Sequence, residues 1–190
     1  IIAQYLIFER IHNKFDIKVV LSGQGGDETM MGYLKYFFFY LDHLKKQFRF
    51  DLIIKELLAS LINGTVVLQN KLSTAKRYIP YYLNKTDDFI TIKGLPEKTW
   101  ASDSLRIRQQ LDIDKYSVPN LARFEDRNSM AFSIETRLPF LDHRLVGFLL
   151  NLKENLKIKN GWTKYILRES MTELPKQIRW RKDKRSFIIP

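Results

Sequence analysis

The chain has 190 residues, 45% of them hydrophobic, which is enough for one domain with a core or for part of a larger one. It contains no cysteine, which excludes disulfides, thiolate metal sites and a cysteine nucleophile within these residues. The net charge of +11 indicates either a solvated basic surface or an anionic partner, nucleic acid or nucleotide phosphate. No apolar run approaches the ~18 residues that a membrane helix requires, and we expect a cytoplasmic protein.

The order of patterns predicts a mainly α-helical chain with one clear strand. Apolar residues from Ile1 to Phe15 recur every three or four positions, which predicts an amphipathic helix, and Ile17–Leu21 follow as a short buried strand. A helix followed by a strand is typical of a βαβ unit with a parallel sheet. In the first half of the chain, helices are predicted from Glu28 to Leu41, from Ile53 to a stop at Asn63–Gly64, and up to Arg77, after which an aromatic loop runs to about residue 95. In the second half, helices are predicted from Glu97 to Leu111, from Pro119 to 131, from an Asp142 cap to Leu150, and from Thr163 to Met171. A turn is predicted at Asn160–Gly161, and Pro175 ends the last helix.

A glycine-rich turn, Ser22–Glu28, is the most informative segment. The strand enters a turn with three glycines, one hydroxyl and two carboxylates, and a helical pattern follows at once. Backbone N–H groups at such a place can face an anion, and the missing Cβ atoms let a polyphosphate approach the main chain. An acidic residue beside phosphate usually indicates a divalent metal, because two anions do not otherwise share a pocket easily. The turn therefore predicts a metal–phosphate site, with a tight connection that binds nothing as the alternative.

Charges of both signs lie among apolar residues in a second segment, Glu125–Asp142. One interpretation is a buried structural network in which Glu135 pairs with Arg137 and Asp142 caps a helix. The other is a functional role for Glu135 and Arg127. We expect Asp142 to be structural, and both interpretations stay open for Glu135 and Arg127.

The third segment is a basic run, Arg181–Arg185, between Trp180 and Phe187. Such a run is usually a solvated tail or a nucleic-acid arm, but the flanking aromatic residues favour docking onto the protein. A lysine delivered to an ATP site in this way would neutralise charge that builds up on phosphate oxygens. The three histidines are scattered, without metal-ligand spacing, so no zinc site is predicted.

Together these segments resemble the synthetase domain of the glutamine-hydrolysing asparagine synthetases. The resemblance is carried by Ser22–Glu28 with Gly32–Tyr33, by Glu125–Val146, by Leu156–Met171 and by Arg179–Phe187. It implies that residues 1–190 are a partial domain, the C-terminal portion of an α/β ATP-pyrophosphatase (adenine nucleotide alpha hydrolase-like) domain.

The resemblance also implies a reaction: aspartate is amidated to asparagine through an aspartyl-adenylate, with release of AMP and pyrophosphate. ATP and Mg²⁺ would be required, and ammonia would come from glutamine through a glutaminase domain. Neither a membrane nor nucleic acid would be a partner, and a homodimer is possible. Carried over by motif, the residues that would contact ATP and pyrophosphate are Ser22, Gly23, Gln24, Gly25, Gly26, Asp27, Tyr33, Arg181 and Lys182. Asp27 would bind magnesium, and Lys184 and Glu135 would be catalytic. Lys184 would stabilise the transition state at the α-phosphorus, and Lys182 would take this role if the alignment of the basic run with the family motif shifts.

Some family features are missing from the 190 residues. They contain neither a pyrophosphate loop of the Ser-Gly-Gly-x-Asp-Ser type nor the amidotransferase half with its leading cysteine, and Gln24 stands where several members carry Glu. We therefore expect a piece of a longer protein that is inactive alone. Two alternatives remain: a relative that amidates or cyclises another carboxylate, and a basic helical nucleic-acid-binding module.

Overall fold

The structure is a computed structural model that describes residues 2–65 and 104–182. Most of these residues are helical, as predicted. The elements up to residue 65 are α1 (Ile2–Lys14), β1 (Val19–Leu21), α2 (Gly26–Thr29), α3 (Leu34–Lys46) and α4 (Phe50–Asn63). The elements from residue 104 are α5 (Leu105–Leu111), a π-helix (Asp112–Tyr116), α6 (Val118–Met130), β2 (Glu135–Arg137), a 3₁₀ helix (Pro139–Leu141), α7 (His143–Asn151), α8 (Glu154–Lys157), α9 (Tyr165–Ser170) and α10 (Lys176–Arg179).

β1 and β2 form a two-stranded parallel sheet. Val19 lies opposite Glu135, and Leu21 lies opposite Arg137. The pairing continues beyond β1, because the Ser22 N–H donates to the Arg137 carbonyl at 2.9 Å. The prediction of a parallel strand is confirmed. The second strand was missed because Glu-Thr-Arg carries no apolar run.

The prediction that Ile17–Leu21 is buried is wrong. The strand begins only at Val19, and the exposed fractions of Val19 and Leu21 are 40% and 72%. The reason is strand alternation: Val19 and Leu21 point to the same face of the sheet, and this face is exposed, whereas Val20 points to the other face and is partly buried.

α1 forms as predicted, but its buried face is narrower than the apolar pattern. Phe8 is buried, whereas Phe15 is 57% exposed. The helix contacts α6 through polar groups: Gln4 hydrogen-bonds to Glu125, and the Asn128 side-chain amide donates to the Gln4 carbonyl oxygen at 3.0 Å. An aromatic contact adds to this packing, with the rings of Tyr5 and Phe132 4.9 Å apart.

The helix predicted from Glu28 to Leu41 is interrupted in the structure. α2 ends at Thr29 and α3 begins at Leu34, because Met31 adopts a left-handed backbone with φ of 55°. The break turns the Met31 side chain into the core, where it is fully buried. The core around it consists of Met31, Tyr36, Phe37, Tyr40, Leu44, Leu105 and Ile158.

Several predicted helix ends and turns are confirmed. Gly64 ends α4 in the left-handed conformation, and Pro119 lies in the first turn of α6. Asp142 caps α7 by accepting the Arg144 N–H at 2.9 Å.

The helix predicted from Thr163 begins at Tyr165, and α5 confirms the later part of the helix predicted from Glu97 to Leu111. The helix predicted up to Arg77 and the aromatic loop after it lie outside the described residues. Within residues 2–65 and 104–182, no helix is both long and apolar enough to cross a bilayer.

Candidate functional site

The glycine-rich turn lies at the carboxyl end of β1, between this strand and α2. The Gln24 N–H points to the Ser22 hydroxyl oxygen at 3.4 Å, which folds the turn back on itself. Apart from Gly23 itself and its two chain neighbours, no described residue has an atom within 4 Å of the position that a Cβ of Gly23 would take. Space for a ligand against the main chain is therefore present at Gly23.

The other two glycines of the turn have packing roles. Gly25 has a φ of 84°, and a methyl group there would overlap the Leu141 side chain. A methyl group at Gly26 would lie 3.2 Å from the Phe140 ring. These two positions let the 3₁₀ helix after β2 pack directly under the turn, which fixes its shape. The sequence predicted that all three glycines give a ligand access to the main chain. In the structure this explanation applies to Gly23, whereas Gly25 and Gly26 are needed for packing.

An ion pair joins the turn to a distant part of the chain. Lys164 Nζ lies 2.8 Å from Asp27 Oδ1, and both side chains are a little more than a quarter exposed. Gly32 makes the pair possible, because a methyl group there would overlap both Asp27 Oδ1 and Lys164 Cε. Lys164 was not predicted as a site residue, although it belongs to the Leu156–Met171 segment that carries the resemblance.

The neighbouring carboxylate, Glu28, has a different environment. It is buried and accepts hydrogen bonds from the Tyr33 hydroxyl at 3.0 Å and the Ser117 hydroxyl at 2.5 Å. Burial and then the negative charge of Glu28 raise the pKa of Tyr33, so its phenol stays protonated and donates. Tyr33, a predicted ATP contact, thus holds Glu28 in place, and Asp27 is the carboxylate left for a ligand.

A magnesium site was predicted at Asp27. No group of three or more acidic or histidine side chains is close enough to hold a metal ion in the described part of the chain. Mg²⁺ at ATP sites is commonly held by one or two carboxylates together with substrate phosphate oxygens. The single half-buried carboxylate of Asp27 fits that donor set, provided that its contact with Lys164 rearranges.

On the side of α2 away from the turn, the Gln109 side chain of α5 anchors this helix, and nothing in the sequence marked Gln109 for such a role. The Gln109 amide donates to the carbonyls of Glu28 at 3.1 Å and Thr29 at 2.5 Å. Its carbonyl oxygen accepts from Lys157 Nζ at 2.8 Å. Lys157 is 1% exposed, and burial lowers its pKa to about 8.

A second buried polar group lies in the same region, around Asp112. Its carboxylate contacts Lys35 Nζ at 2.8 Å and Arg108 at 2.7 Å, and it accepts from the Tyr36 hydroxyl at 2.8 Å. Burial and the charge of Asp112 raise the pKa of Tyr36, which keeps this phenol a donor. The cluster joins α3 to the π-helix and so stabilises the elements that flank the turn.

Glu135 and Arg137 form an ion pair of 2.8 Å on one face of β2. The pairing is the one expected in the structural interpretation, but the side chains are 59% and 62% exposed, so the pair is not part of a buried network. The reason is strand alternation, which puts both on the solvent side while Thr136 points inward. Glu135 lies opposite Val19, at the end of the sheet away from the glycine turn. Arg127, for which both interpretations were open, lies exposed on α6.

The basic segment near the C-terminus docks through Trp180, as the flanking aromatic residues indicated. Its ring packs 5.2 Å from that of Trp162 and 5.8 Å from that of Tyr165. Arg168 reinforces the contact by donating to the carbonyls of Arg179 and Arg181 at 2.7 and 3.2 Å.

Of the predicted site residues in this segment, Arg181 and Lys182 are exposed, and Lys184 lies outside the described residues. Lys182 Nζ approaches the end of α4, 3.8 Å from where a Cβ of Gly64 would lie.

Comparisons with known proteins identify the family of this chain. The family model described as Asparagine synthase matches residues 1–190. The chain belongs to the asparagine synthase family.

Its similar relatives include the human protein named asparagine synthetase [glutamine-hydrolyzing], which is 43% identical over 95% of this chain and 22% of its own length. Proteins of the same name from cattle and chicken are 42% and 29% identical over the same shares. The chain thus spans about a fifth of the length of these asparagine synthetases.

Proposed function

We propose that this chain is part of a carbon–nitrogen ligase that uses ATP to convert aspartate to asparagine. The observation that carries the proposal is the Asp27–Lys164 ion pair beside the glycine turn, at the carboxyl end of a parallel strand, in a chain of the asparagine synthase family. Ligands of open α/β sheets bind at this edge.

The phosphate end of the nucleotide would bind along the turn, from Ser22 to Asp27. Gly23 offers room against the main chain, and Lys164 supplies a positive charge within reach. Mg²⁺ bound to Asp27 and to the phosphates would neutralise part of the triphosphate charge, which lets an anionic substrate approach. Lys164 would then move from Asp27 to a phosphate oxygen, exchanging one anion for another. Arg181 and Lys182 would extend this positive surface at the C-terminal segment.

In the proposed first step, a side-chain carboxylate oxygen of aspartate attacks the α-phosphorus of ATP. A bond forms between this oxygen and phosphorus, and the bond to pyrophosphate breaks. Activation is needed because oxide is a very poor leaving group from a carboxylate, whereas AMP is a good one. Lys184 would stabilise the negative charge that develops on the α-phosphate oxygens.

In the second step, ammonia attacks the acyl carbon and AMP leaves with the bridging oxygen. The attacking nitrogen must lose a proton, and an accessible carboxylate can take it. The family resemblance makes Glu135 the candidate for this role; its exposed side chain pairs with Arg137 and lies towards the far end of the short sheet, so the acyl carbon would have to lie along the sheet rather than over the turn. Ammonia would come from glutamine, hydrolysed in a part of the protein outside this chain.

We also infer that the 190 residues alone do not complete the reaction. The chain covers 22% of the human relative, and it contains no loop of the Ser-Gly-Gly-x-Asp-Ser type to complete the phosphate site. The test is to assay the isolated chain for asparagine formation from aspartate, ammonia and Mg-ATP. Formation of asparagine by this chain would refute the inference.

The reaction is tested in the full-length protein with aspartate labelled with ¹⁸O in its side-chain carboxylate. Adenylation predicts that one labelled oxygen appears in AMP, together with one pyrophosphate per asparagine. AMP without label, or ADP and phosphate as products, would refute the adenylate route. A panel of other carboxylates, with pyrophosphate as readout, distinguishes aspartate from the alternative substrates of a relative.

The site is tested with Asp27→Ala and Lys184→Ala, each of which should abolish pyrophosphate release. A matched control is Asp16→Ala, which removes a carboxylate that is 89% exposed at the other end of β1. Near-normal release in both site variants would refute the assignment, and release should be unchanged in the control.

A further inference from the structure

The chain between β2 and Lys164 makes a tight hairpin that is held by α4. Lys159 and Trp162 exchange two backbone hydrogen bonds of 3.0 and 2.9 Å. The two residues between them, Asn160 and Gly161, both have positive φ, 52° and 74°. Positive φ at both central residues is the signature of a type I′ turn, a rigid two-residue connection.

Three side chains, two from α4 and one just beyond it, satisfy the four main-chain polar groups of Asn160 and Gly161. The Glu56 carboxylate accepts the N–H groups of Asn160 at 3.1 Å and Gly161 at 2.7 Å. The Asn63 side-chain amide donates to the Asn160 carbonyl at 3.1 Å, and the Thr65 hydroxyl donates to the Gly161 carbonyl at 2.6 Å. We call Glu56, Asn63 and Thr65 the turn clamp.

Glu56 is the central member of the turn clamp. Its side chain is 5% exposed, and Glu56 is a member of none of the ion pairs seen among the described residues. A buried carboxylate needs its charge compensated, and here the two N–H groups of the turn do so. Gly161 packs so closely that a methyl group on it would lie 2.5 Å from the backbone of Ser60. The turn therefore cannot shift relative to α4 without losing these contacts.

Two cationic parts of the proposed site depend on where this turn lies. Lys164 follows Gly161 by three residues and reaches Asp27 at 2.8 Å from a left-handed backbone with φ of 53°. Trp162, which directly follows the turn, is the aromatic surface on which Trp180 packs, and so it also locates Arg181 and Lys182, which follow Trp180.

We propose that Glu56 is a positioning residue, which places Lys164 at the phosphate site by holding the Asn160–Gly161 turn. The inference rests on the proposed function, because it concerns the same phosphate site. Glu56 would touch no substrate. Its loss would displace Lys164 while the helices around the core stay folded.

The test compares Glu56→Gln in two backgrounds of the full-length protein, wild type and Lys164→Met, with pyrophosphate release as readout. Glutamine keeps the size of the side chain but turns an N–H donor towards a backbone N–H. We expect kcat/KM for ATP to fall roughly tenfold in the wild-type background, as for the loss of one charge-assisted hydrogen bond. In the Lys164→Met background, Glu56→Gln should change the rate by less than about twofold, since its effect passes through Lys164.

Asp51→Asn is the matched control, because it removes an exposed carboxylate from the first turn of the same helix. It should leave the rate unchanged in both backgrounds. If Glu56→Gln does not fold, Thr65→Val, which removes the hydroxyl at the Gly161 carbonyl, takes its place with the same expectation.

Equal rate losses in the two backgrounds would overturn the positioning role, because a purely structural role of Glu56 acts equally in both. That result would leave the proposed function standing. No effect of Lys164→Met on pyrophosphate release would instead refute the placement of Lys164 at the phosphate, and with it both proposals for this residue.

Discussion

Gly32→Ala separates the ion pair of the proposed site from the stability of the fold. A methyl group at Gly32 would overlap Asp27 Oδ1 and Lys164 Cε and would lie 3.0 Å from Asp27 Cγ. Gly32 is not among the residues with positive φ, so its backbone accepts alanine. The atoms in the way belong to side chains that can move. The substitution should therefore push Asp27 and Lys164 apart without unfolding the chain.

The two consequences differ in size. The ion pair is a little more than a quarter exposed on each side, and solvent screening limits its contribution to stability to about 1 kcal/mol or less. A contact that stabilises charge in the transition state is worth about 3 kcal/mol, or about a hundredfold in rate. We expect pyrophosphate release to fall by about a hundredfold, with a small change in Tm.

The assay measures pyrophosphate release and thermal unfolding of the full-length protein side by side. Gly147→Ala is the matched control: no described atom lies within 4 Å of the added methyl group, and alanine in α7 should stabilise the helix by about 1 kcal/mol. Wild-type activity in Gly32→Ala would refute the role of the pair. A loss of activity explained by a large fall in Tm would refute the claim that the site and the fold separate.

Three further predictions concern the buried charges and one helix cap, and thermal unfolding of full-length variants tests each. Because burial lowers the pKa of Lys157 from 10.5 to about 8, the unfolded chain binds more protons between these values. Stability should therefore rise with pH across this window, by at most about 3 kcal/mol, and the rise should be missing in Lys157→Met. Asp112→Asn removes the buried negative charge that Lys35 and Arg108 contact and should cost about 3–5 kcal/mol, whereas Tyr36→Phe loses one hydrogen bond and should cost about 1 kcal/mol. Asp142→Ala removes the cap of α7 and should cost about 1 kcal/mol. A flat pH profile in the wild type, equal losses for Asp112→Asn and Tyr36→Phe, or no loss for Asp142→Ala would contradict the respective reasoning.

Local features of the fold were readable from the sequence because their cause lies within a few residues. A left-handed glycine ends α4, a proline starts α6 and an aspartate caps α7, each by its own backbone or side-chain chemistry. The glycine turn after β1 was found for the same reason. β2 was not predicted from the sequence because its three polar residues form a strand only when β1 lies beside them.

Contacts between distant parts of the chain could not be predicted in this way. Asp27 and Lys164 are far apart in sequence, and neither composition nor periodicity marks the lysine as its partner. Glu56 sits on a helix whose acidic residues would ordinarily be assigned to solvent, yet it is buried against a turn more than a hundred residues away. Only the tertiary fold shows that these residues belong to one arrangement.

The left-handed backbone at Lys164 has a consequence for engineering a more robust protein. Substitution of non-glycine residues at positive φ by glycine is a common way to relieve about 1–2 kcal/mol of strain. Phe48 has a φ of 59° and is 81% exposed, so Phe48→Gly would also eliminate an aromatic side chain that is exposed to solvent. At Lys164 the same exchange would relax the main chain and discard the positive charge that it presents. A screen for thermal tolerance alone would thus score the two changes alike, although we expect one to be harmless and the other to inactivate the enzyme.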